Sequence, residues 1–363
     1  MEDKKIWKKF LIKSLAVSIT LLILVAALVI YVDPMFHFHS PRTGVSYILD
    51  NERYQNNGIL KNYDYDALVT GTSMSENFKT TTVDRLFGTR SVKAAYAGGY
   101  FKEIGDAEKA ALQNNPDLKM VIRSVDMSFI MTESDYINPA ASYPHYLMDS
   151  DPFNDDIYVF NADILFEYVN AELIRTAKKI PADTFDDYMS FAEKDENSGP
   201  GYVLLFVEDF EAPEEQKGLD ESEREMLISN IRANLTANPA AYPGTEFYYF
   251  IPPYSIADWW QTYVSKGRLD AYIETMTIVT EELLKYDNVH VFCFYDDTDL
   301  VTDLYNYTDS CHYVSSVSDM ILEKMAAGEN ELTKDNYKKY YEDLRDFYYE
   351  FDYPSVIPGA VFK

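Results

Sequence analysis

The apolar and polar positions of the chain fall into two regimes. The first is a single uncharged stretch, Ser14 to Val32, SLAVSITLLILVAALVIYV. As a helix it would span roughly 28 Å, close to the thickness of a bilayer's hydrocarbon core. Lys4, Lys5, Lys8, Lys9 and Lys13 precede it, and Asp33-Pro34 follows. A basic flank on this side predicts a cytoplasmic N-terminus and an exported remainder at the cell membrane. A cleaved signal peptide is the alternative. Its apolar region is usually shorter, and no small-x-small site follows Val32. The stretch is therefore read as a single uncleaved anchor.

The second regime begins after Tyr65. Short apolar runs alternate with helix-period segments. ALVTG (Ala67–Gly71) precedes a helical pattern from Thr81 to Phe87, and SVKAAYA (Ser91–Ala97) precedes one from Lys102 to Gln113. KMVIRSV (Lys119–Val125) ends in Asp126. EFYYFI (Glu246–Ile251) leads into a helix from Arg268 to Lys285, and HVFCF (His290–Phe294) into one from Ser315 to Ala327. Apolar runs without alternation are strands buried on both faces. Their alternation with helices predicts an α/β fold: a parallel sheet between two helical layers. The pattern breaks between Thr132 and Pro243. There, helices are expected at 157–177 and 219–238, with a strand at YVLLFV (Tyr202–Val207). The expected layout is a tail and anchor at 1–33, a stalk folding back at 34–65, a catalytic domain at 66–327 with a largely helical insertion at about 132–243, and a helical tail at 328–363.

Composition narrows the function. The chain has 363 residues, 47% of them apolar, and a net charge of −28. So acidic a surface argues against nucleic acid as a partner and against electrostatic adhesion to anionic lipid. Only two cysteines occur, Cys293 and Cys311, which excludes a disulfide scaffold and a four-cysteine zinc site. They either form one disulfide or stay free thiols. No cofactor is implied.

In open α/β sheets, ligands bind beyond the carboxyl ends of the strands. The first run ends in Gly71-Thr72-Ser73, the second in Ala97-Gly98-Gly99, the third in Asp126, and the fourth in Pro252-Pro253-Tyr254-Ser255. The fifth leads through a loop to YTDSCHY, with Asp309 and His312. These residues suffice for a nucleophile: Ser73, with His312 as its base and Asp309 to fix the imidazole tautomer. Backbone N–H groups of Ser73 and of Gly98 or Gly99 would hold an oxyanion. Ser75 is read as a helix cap.

This set resembles the SGNH (GDSL-like) hydrolase superfamily, and the anchor and layout look like its membrane-anchored DltD-like branch in Gram-positive bacteria. The resemblance covers roughly residues 51–327. It implies a flavodoxin-like three-layer sheet, with Gly71-Thr72-Ser73 as the serine block, Gly98-Gly99 as the oxyanion block and Asp309-Ser310-Cys311-His312 as the Asp-x-x-His block. It further implies ester chemistry or acyl transfer on a cell-surface polysaccharide or teichoic-acid-like polymer, drawing on a lipid-linked acyl donor, with a membrane-bound O-acyltransferase as partner. One block departs. Where the superfamily places an oxyanion asparagine, this chain has Asp126, whose ionised carboxylate would repel an oxyanion. Loss of one such donor typically costs about 10²–10³ in rate. A catalytically weak or inactive scaffold of envelope-polymer modification is therefore the alternative.

Other residues carry less. Tyr254 and Trp259 are candidates for substrate binding. Trp259 and Trp260 either stack on a sugar ring or acyl groove or pack into the core. Tyr54 and Gln55 are placed by position alone near the cleft. His37 and His39 form an H-x-H pair without further metal ligands in view, His145 sits in a Tyr-Pro loop, and His290 reads as structural. Arg123, inside a buried run, needs a carboxylate, and Asp126 is one candidate.

Overall fold

A computed structural model describes residues 2–139, 141, 143–149, 151–191 and 197–363. The chain divides into two compact units: Met1–Tyr63 with Ser142–Thr184, and Asp64–Ala141 with Phe185–Lys363.

The second unit is built on a mixed sheet. Its strands are β1 (Ala67–Gly71), β2 (Ser91–Ala95), β3 (Met120–Ser124), β5 (Glu246–Ile251), β6 (Val289–Cys293) and β7 (Glu331–Leu332). A separate parallel pair joins β4 (Glu211–Ala212) to β8 (Val361–Phe362). The order of the main sheet is β2-β1-β3-β5-β6-β7, parallel except for β7. Its five parallel strands follow the flavodoxin-like order, whose switch point lies between β1 and β3. Every residue of β1, β2 and β3 is buried, which accounts for their largely apolar character, with Lys93 and Arg123 as buried charged exceptions.

Crossover handedness places the helices. The connection from β1 runs one way along the sheet to β2, and the next runs back across to β3. Right-handed crossovers then put the helices Thr80–Phe87 and Phe101–Asn114 on opposite faces. Consistently, Thr80–Phe87 packs on Ser315–Ala327, and Phe101–Asn114 packs on Glu221–Asn234. Helix Leu269–Leu283 joins the second layer, backed by Tyr337–Glu350.

Three local expectations are corrected. YVLLFV is not a strand: Gly199 (φ 101°) and Pro200 open a short helix, Pro200–Val203, continued by a 3₁₀ turn, Leu204–Phe206. The segment from Glu331 begins as the edge strand β7 before its helix starts at Tyr337. Arg123 pairs with Glu108 at 2.7 Å, not with Asp126, and both partners are fully buried. Asp126 lies beyond the end of β3, where it caps the following 3₁₀ turn Met127–Phe129. Tyr249 donates to the same Glu108 at 2.6 Å.

The first unit holds the helix Glu2–Val32, which is long and apolar enough to cross a membrane. Its last turns supply Val29 and Val32 to a core with Met35, Leu147, Tyr158, Val159, Ile164 and Val169. Asp33, in the left-handed region at φ 50°, is buried there. Its carboxylate accepts from the N–H groups of His37, Phe38 and His39 and from the Tyr158 hydroxyl. The expected 157–177 helix is split into Asp156–Val159, a π turn at Ile164–Val169, and Asn170–Ala177. His37 contacts Asp155 at 2.9 Å, and the His39 ring contacts the carbonyls of Ser40 and Ile30. Gln55 is buried, and its amide bonds the backbone at Pro34, Ile48, Asp50 and Asn51. Neither the histidine pair nor Gln55 is arrayed for ligand chemistry. Tyr54 N–H donates to the Asn51 side chain that caps its helix, and His145 is exposed at the start of a single helical turn.

Candidate active site

Strand β1 ends on Gly71 because nothing larger fits. Its φ is +133°, and a Cβ there would lie 2.0 Å from Ser124 Oγ and 2.9 Å from Ser124 N. The chain turns sharply, and Thr72 N–H donates to Ser124 Oγ at 3.0 Å. A 3₁₀ turn, Ser73–Ser75, follows, capped by the Thr72 side chain. Ser75 does not cap the next helix; its buried hydroxyl donates to the Thr70 carbonyl at 2.8 Å and locks the turn. Ser73 is left half-buried at the strand's carboxyl end.

The loop after β6 brings His312 to this point. Ser73 Oγ lies 2.8 Å from His312 Nε2, and His312 Nδ1 lies 2.7 Å from Asp309 Oδ2. The other oxygen, Asp309 Oδ1, accepts from the N–H groups of Cys311 (2.9 Å) and His312 (2.8 Å). A carboxylate can only accept, so the neutral imidazole carries its proton on Nδ1. Nε2 is then the bare acceptor that faces the Ser73 hydroxyl. Tyr313 donates to the Met74 carbonyl at 2.7 Å and ties the two ends of the chain together one residue from each. The Phe191 ring meets the His312 ring edge-on at 5.3 Å.

The charges suit this order. Burial would raise the Asp309 carboxyl, but the His312 hydrogen bond and charge prevail and pull it down to about 2. Burial would lower His312, but Asp309, Glu76 and Asp126 outweigh it and raise its pKa above 6.5. Hydroxyl, imidazole and ionised carboxylate in this sequence can activate a serine for attack on an acyl carbon.

The oxyanion donors divide. Gly71 pairs with Ala95 in parallel register, so Ser73 and Gly98 lie two and three residues beyond paired positions of adjacent strands. Among the described residues, neither the Ser73 nor the Gly98 N–H has a backbone acceptor outside regular elements. Gly98 is in the left-handed region at φ 58° with open space around it, so the backbone conformation alone requires glycine. The Gly99 N–H donates to the Tyr96 carbonyl at 2.7 Å, which removes it from the candidate donors.

Asp126 and Tyr254 form a structural pair. Both are buried. Asp126 Oδ1 accepts from the Tyr254 hydroxyl and from Ser128 N–H (3.1 Å), and Oδ2 accepts from the Thr72 hydroxyl (3.1 Å). Burial pushes the Asp126 carboxyl up, although all three donors favour its ionised form. Tyr254 therefore braces Asp126, and Asp126 braces the residue preceding Ser73. Trp259 is fully buried and stacks on Tyr348 at 3.6 Å, so it offers no face to a ligand. Trp260 is also buried, with its Nε1 donating to the Asp209 carbonyl.

Sequence reasoning missed three participants: Tyr313, Phe191 and Asp258. Asp258 Oδ1 accepts from the Ser310 hydroxyl at 3.3 Å, inside the loop that carries Asp309 and His312. Its burial pushes the carboxyl up to about 7. The spacing YTDSCHY marks the loop but nothing distant that packs on it. A cleft of about 290 Å³, lined by Met127, Ser128, Met131, Thr262 and Tyr263 among others, opens just past Asp126; neither Ser73 nor His312 lines it. Asp309, Cys311 and His312 bring three donor atoms within 4.8 Å. The His312 Nδ1 is already bonded to Asp309, and burial pushes the Cys311 thiol up, away from the thiolate that binds metals. Cys293 and Cys311 are both free thiols.

No family model matches the chain. No curated protein matches it either. Among solved structures, one from Streptococcus pneumonia, provisionally named as a platelet activating factor, is similar at 13% identity. The match covers 80% of this chain and 92% of that one with a TM-score of 0.34, too low to carry an argument.

Proposed function

We propose that this chain is a membrane-anchored, extracytoplasmic serine esterase or O-acyltransferase of the SGNH type. The observation that carries the reading is the continuous relay from Ser73 Oγ through His312 to Asp309, at 2.8 and 2.7 Å. Ser73 Oγ attacks the acyl carbonyl as His312 Nε2 takes its proton, and backbone N–H groups of Ser73 and Gly98 receive the oxyanion. Collapse breaks the ester bond, and His312 returns the proton to the leaving alcohol. The acyl-serine then passes its acyl group to a sugar or polyol hydroxyl, or to water, with His312 again as base. The basic flank before the anchor favours a cytoplasmic N-terminus, with the second unit outside. Tethering raises the effective concentration of a membrane-borne acyl donor. The acceptor class is a teichoic-acid-like or polysaccharide polymer, with a membrane-bound O-acyltransferase as partner.

The carboxylate at Asp126 favours a second reading, a scaffold with little turnover. A fluorophosphonate probe separates the two. Labelling of the wild-type chain but not of Ser73→Ala is the expected result. A folded wild-type chain that stays unlabelled at every pH between about 5 and 9 leaves the scaffold reading.

A further inference from the structure

The first unit carries a surface that the anchor and the proposed chemistry leave unexplained. In the stretch 153–166, Tyr158, Val159 and Ile164 face the unit's core against Val29, Val32 and Met35. Leu165 packs partly against it, and four other large apolar side chains of the stretch are largely exposed. Phe153 is 91% exposed, Phe166 68%, Ile157 51% and Phe160 49%. So many exposed large apolar residues in one short stretch mark a contact surface.

Its place in the unit indicates what covers it. The stretch is clamped to the end of the long helix: Tyr158 donates to Asp33 Oδ1 at 2.9 Å and accepts from Met35 N–H at 3.2 Å. A helix that crosses a bilayer over Ser14–Val32 leaves it at these residues, so the exposed side chains sit where acyl chains meet headgroups. Aromatic and aliphatic side chains partition into that boundary. The segment 151–167 also carries Asp151, Asp155, Asp156, Asp163 and Glu167 and no lysine or arginine. Anionic headgroups would repel it, so its affinity for a membrane must come from apolar insertion.

We propose that Phe153, Ile157, Phe160 and Phe166 form a second membrane contact, dipping into a neutral lipid surface beside the exit of the anchor. The inference rests on the anchor reading of Ser14–Val32. The test places the full-length chain in phosphatidylcholine nanodiscs and introduces Phe153→Trp or Phe166→Trp, both at sites exposed enough to accept the ring. Lipids brominated near the glycerol end of the acyl chain should quench the new tryptophan at least about twofold, and lipids brominated near the chain terminus less. The native Trp7, within the Glu2–Val32 helix, reports separately on insertion of the anchor. Quenching of Trp7 without quenching at 153 or 166 overturns the second contact and spares the anchor. Loss of both signals overturns both. A blue-shifted but unquenched tryptophan means that protein, a second copy or a partner, covers this face, and that also overturns the proposal.

Discussion

His312 sets the pH response at the scale of single residues. If His312 is the base proposed above it must be neutral to act, and its pKa stands above 6.5, because Asp309 outweighs the opposing effect of burial. Activity should therefore fall on the acid side with a midpoint above 6.5. In Asp309→Asn the main source of that elevation is gone, so the acid limb should move down. The imidazole tautomer is no longer fixed either, and kcat should drop by about 10⁴. A kcat/KM profile for both proteins checks this; an acid limb that does not move in the variant sinks it. Stability follows the same groups. The folded-state pKa of His312 is raised, so its contribution is complete below 6.5 and is lost as pH rises through the folded value. The folded-state pKa of Asp309 is lowered, so its contribution is present above 3.8 and is lost as pH falls toward about 2. Asp258 acts in the opposite sense to Asp309 and in the same sense as His312. Buried and raised to about 7, it binds more protons folded than unfolded, so stability declines as pH climbs from 3.8 to about 7. Asp258→Asn should flatten that decline, seen as a melting temperature less sensitive to pH across this window.

Between elements, two contacts decide whether these residues meet. The first is Tyr313 to the Met74 carbonyl, which docks the loop after β6 onto the turn after β1. Tyr313→Phe keeps the ring and removes the bond. We expect a loss of about 0.5–1.5 kcal/mol in stability and a fall in kcat at nearly constant KM. A fall in stability with unchanged kcat would reduce Tyr313 to a packing residue. The second is Arg123 with Glu108, which joins β3 to the helix Phe101–Asn114. Glu108→Ala strands a buried guanidinium and should cost about 3–5 kcal/mol, read as a shift in the denaturation midpoint; Arg123→Met with Glu108→Leu should recover most of it. These contacts also show where sequence reading ends. The five parallel strands are legible because they are short, mostly apolar runs between helical patterns, even with Lys93 in β2 and Arg123 in β3; Ser73 lies just past the end of β1, and Asp309 and His312 lie in the segment that follows β6. β7 is two residues long and has no period to detect. YVLLFV misleads because Gly199 and Pro200, just before and at the start of a helical turn, set its conformation, which an apolar run does not reveal. The partners of Arg123, Tyr254 and Trp259 lie 15, 128 and 89 residues away, and no local pattern names them.

At the scale of the molecule, the chain folds as two units, and the long apolar helix Glu2–Val32 belongs to the first of them. Val29 and Val32 lie in the first unit's core, and the Val32 carbonyl accepts the Tyr47 hydroxyl at 2.9 Å. The helix is thus long and apolar enough to cross a membrane and is also part of a folded unit. A chain beginning at Asp33 would lose both valines at once, and filling a core of so few residues incompletely costs about 1–3 kcal/mol or more per large side chain. Such a chain should keep the second unit's thermal transition and its Ser73-dependent fluorophosphonate labelling. It should lose or sharply lower the transition of the first unit. Calorimetry of both chains in the same detergent, with labelling on the same samples, measures the two effects separately. Two transitions at unchanged midpoints would mean that Val29 and Val32 contribute nothing to the fold. Loss of labelling together with the first transition would mean that the Ser73 relay depends on the anchor-bearing unit, which the relay's confinement to residues of the second unit argues against.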